Sequence, residues 1–275
     1  MDSKEPPVID FAPFYGPEWP AKERLISELR QACREYGFFQ LINHAVPAEL
    51  QESVMRHSQD FFALPTETKE RYGKDIGGFN RGYERLRAQN LEKRTQGDLN
   101  EGFYMGKNPP LDDPYVNVMD DYHAVLTALA MGIMQMIART LHLDEDVFHD
   151  FCEHPVAVLR LLHYPPQGPK AAEDERVNVT PIPGAYVVNL GNMMMQWTND
   201  QYLSNIHRVI NKSGKERFGV LFFFSENPDY TIRCLPSCED SKEGARYAPI
   251  TVGDTSATKA IGKLRNDLVV ELSAR

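Results

Sequence analysis

From Val156 onward the chain reads as short apolar runs, Val156–Leu162, Ala185–Leu190, Ile206–Ile210 and Phe218–Phe224, cut by turns rich in Pro, Gly and Asn. Runs this short, weighted toward Val, Phe and Leu, predict strands rather than helices. The first half has a different period. Leu25, Leu29, Ala32 and Cys33 recur at helical spacing between Ala21 and Tyr36, with Gly37 placed to stop the helix. A second helix is predicted from Pro47 through Phe62, ended by Pro65, and a long one over Val116 to Leu141, where Val118, Tyr122, Val125, Leu129, Ile133, Met136 and Ile137 form one stripe. Strands are predicted at Pro7–Phe11 and Phe38–Ile42. Helices first and antiparallel strands later give an α+β arrangement, with helices buttressing one side of a sandwich or jelly roll. The stretch Gly73–Pro114 has no period and is read as a loop over a surface or pocket mouth.

A length of 275 residues suits one domain. Its parts are a helical and loop region at 1–115, buttressing helices at 116–155, a β core at 156–255 and a tail at 256–275. The net charge is −9 and the basic residues are scattered, so nucleic-acid binding is not expected and small molecules are the expected partners. Neither an apolar leader nor a membrane-length apolar run is seen, which points away from membranes and to the cytoplasm. Cys33, Cys152, Cys234 and Cys238 are too scattered for a disulfide framework and are read as free thiols.

His207 lies in a β-branched run, where alternation puts it and Val209 on one face of a strand. Such a histidine is either a core residue or a metal ligand. Arg217 opens the next strand after an Asn211–Lys215 turn, and it either faces solvent or grips a carboxylate with its planar fork.

Four ordered stretches decide between these readings. They are Pro7-Val8-Ile9-Asp10 with Tyr36-Gly37-Phe38-Phe39-Gln40-Leu41-Ile42-Asn43-His44; Asn80-Arg81-Gly82-Tyr83 with Asn100-Glu101-Gly102-Phe103; Leu159 to Pro166, with His163-Tyr164; and Val188-Asn189-Leu190-Gly191-Asn192 through Trp197-Thr198-Asn199 to Ser204-Asn205-Ile206-His207-Arg208-Val209. Together they resemble the isopenicillin-N-synthase-like family of non-haem Fe(II), 2-oxoglutarate-dependent oxygenases. The resemblance implies a double-stranded β-helix core and a small organic substrate that is hydroxylated, desaturated or cyclised. It implies Fe(II), 2-oxoglutarate and O2 as cofactor and co-substrates. His207 matches the second iron-binding histidine, Arg217 the arginine that holds the distal carboxylate of 2-oxoglutarate, and Tyr164 a tyrosine that touches it. Arg81, Tyr83, Glu101 and Phe103 become candidates for the substrate mouth, with loop anchoring as the competing role.

The match has departures. Gly219 stands where the family usually has a serine donating to the same carboxylate, and Leu162 replaces an asparagine. A lost hydrogen bond to a charged group typically costs about 1.5–3 kcal/mol, so an oxidase of the same fold that dispenses with 2-oxoglutarate is the rival enzyme reading. A facial triad uses two histidines and one carboxylate, and the resemblance implies that the first pair is a His-x-Asp on an earlier strand. None lies between Tyr164 and His207, where Lys170–Arg176 runs straight into Val177–Gly184. His142-Leu143-Asp144 comes too early and reads as a helix end. Either the encoded protein carries roughly 30 further residues at Arg176–Val177, by strand-length arithmetic, or the chain truly lacks them and is a metal-free binding or inactive variant. The first is expected, because a barrel deprived of strands would expose unpaired edges.

Overall fold

Gly37 shows how local chemistry sets the frame. The amphipathic stripe becomes α2 (Trp19–Glu35), which follows β1 (Val8–Asp10) and a single turn, α1 (Ala12–Tyr15), and buries Leu25, Leu29, Ala32 and Cys33. Gly37 then takes φ +64°, and a Cβ there would run into the carbonyl oxygen of Leu203, so only glycine lets the chain turn directly into β2 (Phe38–Ile42). The computed structural model describes residues 5–74, 81–88, 99–106, 116–153, 156–166, 179–205, 214–225, 229–252 and 268–274.

Further along come α3 (Ala48–Phe62), α4 (Thr66–Glu70), β3 (Gly82–Glu84), β4 (Glu101–Gly106), the long α5 (Val116–Thr140) and α6 (His149–Glu153). They are followed by β5 (Val156–Tyr164), β6 (Tyr186–Asn189), α7 (Asn192–Trp197), β7 (Arg217–Ser225), the small pair β8 (Thr231–Ile232) and β9 (Ile250–Thr251), and β10 (Leu268–Ala274). Among the described residues eight strands form one mixed sheet in the order β1-β2-β6-β10-β7-β5-β4-β3, antiparallel except for β1 on β2. The α+β expectation holds. Two parts of it change. The presumed 73–114 loop contributes β3 and β4, whose signal is diluted by glycines at 82, 102 and 106. The presumed tail supplies β10, which lies between β6 and β7, pairing Leu268–Ala274 with Phe218–Phe224 on one side and Val269–Glu271 with Val187–Asn189 on the other. Among the described residues the sheet is therefore continuous between β6 and β7. The strand expected at Ile206–Ile210, His207 included, lies outside the described residues, as does the Arg176–Val177 join.

Because side chains alternate along strands, the register sorts the sheet into two faces. Phe39, Tyr186, Val188, Val270, Phe222, Phe224, Leu159 and Leu161 fall on one and join Leu29, Val54, Leu126 and Ile133 of the helices in the main core. Leu162, Tyr164, Leu221, Phe223 and Val269 fall on the other, where they form a separate smaller cluster.

Candidate functional site

The smaller cluster shares its face with an unusual set of polar groups. Register places Arg217 opposite Tyr164, Gly219 opposite Leu162 and Leu221 opposite Arg160. Strand β10 adds Glu271, β6 adds Asn189, β2 adds Gln40, and Tyr104 and Glu84 come from β4 and β3. The Arg217 guanidinium sits 5.3 Å from the centre of the Tyr164 ring. Its Nη2 donates to Glu271 Oε1 at 2.9 Å, and both side chains are mostly buried. Held against an aromatic face, this guanidinium is suited to a carboxylate.

A second group lies farther along the same face. Arg160 and Lys74 both donate to Glu84, at 3.1 and 2.9 Å, and the Tyr104 hydroxyl does so at 3.2 Å. Arg160 Nε, Gln40 Oε1 and Asn189 Nδ2 are buried and find no hydrogen-bond partner among the described residues. A face with unspent donors and acceptors is suited to a polar occupant, since leaving them dry and unpaired is costly. Arg81 also reaches this face, because a Cβ added at Gly106 would collide with its guanidinium.

The other candidates are elsewhere. Tyr83, Glu101 and Phe103 occupy the helix-covered face, so the structure does not bring them together with Arg217 and Tyr164. Glu101 receives Lys69 Nζ at 2.8 and 3.1 Å, the Tyr83 hydroxyl at 2.5 Å and His163 Nδ1 at 2.8 Å. Burial pushes its carboxyl up, but the hydrogen bonds from His163, Lys69 and Tyr83 and the Lys69 charge outweigh it and hold the pKa at about 2. Burial, then the bond to Glu101, raises the Tyr83 phenol. Phe103 packs edge-on against Phe61 at 4.8 Å. This is the geometry of the loop-anchoring role. Lys69 and His163 complete the cluster; His163 falls in the family-matching stretch beside Tyr164, whereas no local signal marks Lys69 on its short helix. His142 takes φ +59° in the exposed turn after α5, as a helix end should. Trp197-Thr198-Asn199 is likewise structural: Asn199 bonds the backbone of Arg246 and Gly244, and Thr198 that of Met194 and Tyr202.

Comparison with known proteins gives this geometry a context. Residues 6–126 match the model for the non-haem dioxygenase in morphine synthesis N-terminal region, and residues 133–226 match that for the 2OG-Fe(II) oxygenase superfamily. The 2-oxoglutarate-Fe(II) type oxidoreductase hxnY of Emericella nidulans is 41% identical, with 92% of this chain and 89% of hxnY covered. This chain belongs to the 2-oxoglutarate/Fe(II) oxygenases. It is an oxidoreductase of the dioxygenase type, from a family that uses Fe(II), 2-oxoglutarate and O2 and acts on small molecules. The 2-oxoglutarate-dependent dioxygenase citB of Monascus ruber is 34% identical over 83% of this oxygenase and 87% of citB. A full-length Neurospora crassa protein, solved in complex with alpha-KG and thymine, shares the fold with a TM-score of 0.79 at 22% identity, covering 92% of this chain and 96% of its own. The hxnY alignment spans 313 residues, more than the 275 of this oxygenase, so hxnY carries internal residues that have no counterpart here.

Among the described residues no group of three His, Cys, Asp or Glu side chains converges as a metal site. These residues therefore do not by themselves compose an iron centre. The arginine expected to take 2-oxoglutarate is already engaged by a carboxylate of the chain itself.

Proposed function

We propose that this oxygenase hydroxylates, desaturates or cyclises a small organic molecule in the cytoplasm, with Arg217 and Tyr164 as the anchor for 2-oxoglutarate and His207 as an iron ligand. The observation that carries the reading is the pairing of Arg217 with Tyr164 on the face of the sheet that also gathers Arg160, Gln40 and Asn189. The four cysteines are free thiols, which suits a reducing compartment, and none of the described helices is long and apolar enough to cross a membrane. Arg81, on the same face, is the substrate-side cation in this reading; Tyr83, Glu101 and Phe103 support the mouth from behind. The protein's part is to bind and orient, while bound iron supplies the oxidising chemistry. Iron-dependent release of succinate from 2-oxoglutarate by the purified protein tests this reading. Substrate oxidation that continues after 2-oxoglutarate is removed would transfer the assignment to an oxidase.

The lack of a His-x-Asp between Tyr164 and His207 and the engagement of Arg217 by Glu271 favour a second reading, a binding or catalytically silent member of the family. Failure to retain Fe(II) in equilibrium dialysis, together with no succinate, would establish it.

A further inference from the structure

Arg217 has a partner within its own sheet. Strand β10 threads between β6 and β7, and its Glu271 lies on the same face as Arg217, opposite Leu221. From there the side chain runs along the face past Gly219, and its Oε1 would be 3.6 Å from a Cβ at that position. It ends 2.9 Å from Arg217 Nη2. A Cβ at 219 would touch that carboxylate only at ordinary van der Waals distance, and glycine leaves the lane clear of any longer side chain. A glutamate side chain also ends in the same CH2–CH2–COO⁻ unit as the distal half of 2-oxoglutarate. The chain thus presents to its own arginine the chemical terminus that the arginine is expected to take from solution.

We infer that Glu271, delivered by β10, is a built-in carboxylate competitor of 2-oxoglutarate for Arg217, so the co-substrate gains its anchor only when Glu271 withdraws. The inference rests on the reading of Arg217 as that anchor. A tethered carboxylate competes at an effective concentration far above that of a free metabolite, because no translational freedom is lost when it binds. A charge-assisted arginine–carboxylate contact shielded from water is also among the stronger polar contacts a protein makes.

The test is calorimetric titration of the full chain with 2-oxoglutarate in the presence of Mn(II), a redox-silent substitute for iron. Wild type is compared with Glu271→Gln, Arg217→Leu and the double variant. Glu271→Gln keeps the shape and removes the charge; it should bind 2-oxoglutarate at least tenfold more tightly than wild type, and the gain should vanish in the double variant. Equal affinity of Glu271→Gln and wild type, with Arg217→Leu weaker, overturns the competitor and leaves the anchor standing. A gain that survives loss of Arg217 also overturns it. Unchanged binding by Arg217→Leu alone removes the anchor reading, and the competitor with it. Should Glu271→Gln fail to fold by circular dichroism, Glu271→Asp draws the carboxylate back by one methylene. It should then show an intermediate gain, and a folded Glu271→Asp with wild-type affinity overturns the inference.

Discussion

The two faces of the eight-stranded sheet are built by the same strands from alternate residues, yet they behave as different materials. On the helical face Phe39, Tyr186, Val188, Val270, Phe222 and Phe224 are essentially fully buried and pack with the helices into one core. It also holds the buried Lys69–Glu101–Tyr83–His163 knot, in which each carboxylate oxygen of Glu101 receives at least two donors. The opposite face has a small apolar cluster hemmed by Arg160, Arg217, Glu84 and Glu271, and three of its buried polar atoms have no partner among the described residues. Among the described strand residues, Gln40, Asn189 and Arg160 carry these unpartnered atoms, and all three lie on the second face. Stability should reside mostly on the first and ligand chemistry on the second, and each change below can break that division.

The largest effect is expected for Phe222→Ala. Emptying a fully buried aromatic site costs about 3–5 kcal/mol, read from urea unfolding. A loss as small as that of a surface change would show that the helical face does not carry the core. Next comes Lys69→Met, which strands the Glu101 carboxylate in a buried site and should cost about 3 kcal/mol at neutral pH.

The same cluster predicts a pH window. The Glu101 pKa is depressed from 4.5 to about 2 in the folded protein, so its contribution is complete above 4.5 and is lost as the pH falls through 2. Stability measured by unfolding between pH 5 and 2 should fall more steeply in wild type than in Glu101→Gln; parallel curves would exclude Glu101 as the cause.

On the other face Arg217→Leu should raise the 2-oxoglutarate requirement at least tenfold, about 1.4 kcal/mol, while costing less stability than Phe222→Ala. The smallest effect is expected for Tyr104→Phe, which removes one hydrogen bond to Glu84 and should cost about 1 kcal/mol in thermal unfolding.

How much of this was readable in advance follows from the range of each signal. Helices α2, α3 and α5 were legible because Leu25 and Leu29, or Leu129 and Ile133, report burial within a single turn. Strands β5, β6 and β7 were legible because apolar residues crowd on both of their faces. Strand β4 was not, since Gly102 and Gly106 carry no side chain to mark an apolar period. The Arg217–Tyr164 pairing was legible through the family motif. Its partner Glu271 was not: a lone acid in Leu268-Val269-Val270-Glu271-Leu272 looks like the solvent side of an edge strand, and only the register with a strand some fifty residues earlier puts it beside Arg217. Tyr83 and Glu101 show the converse. The family stretches suggested a mouth, and the parity of β3 and β4 faces both side chains toward the helices.

The position of β10 also sets an order of events during synthesis. All the other strands of the sheet leave the ribosome first, and β6 and β7 then have no hydrogen-bonding partner on the sides where β10 will lie. At 5–20 residues per second, translating from Ser225 to Leu268 takes roughly 2–9 s, during which two apolar strand edges remain open. That interval favours engagement by a chaperone or by a second nascent chain. Final closure of the sheet is a late, high-contact-order step, so removal of residues 268–274 should divert the chain toward aggregation during expression rather than trim a finished molecule.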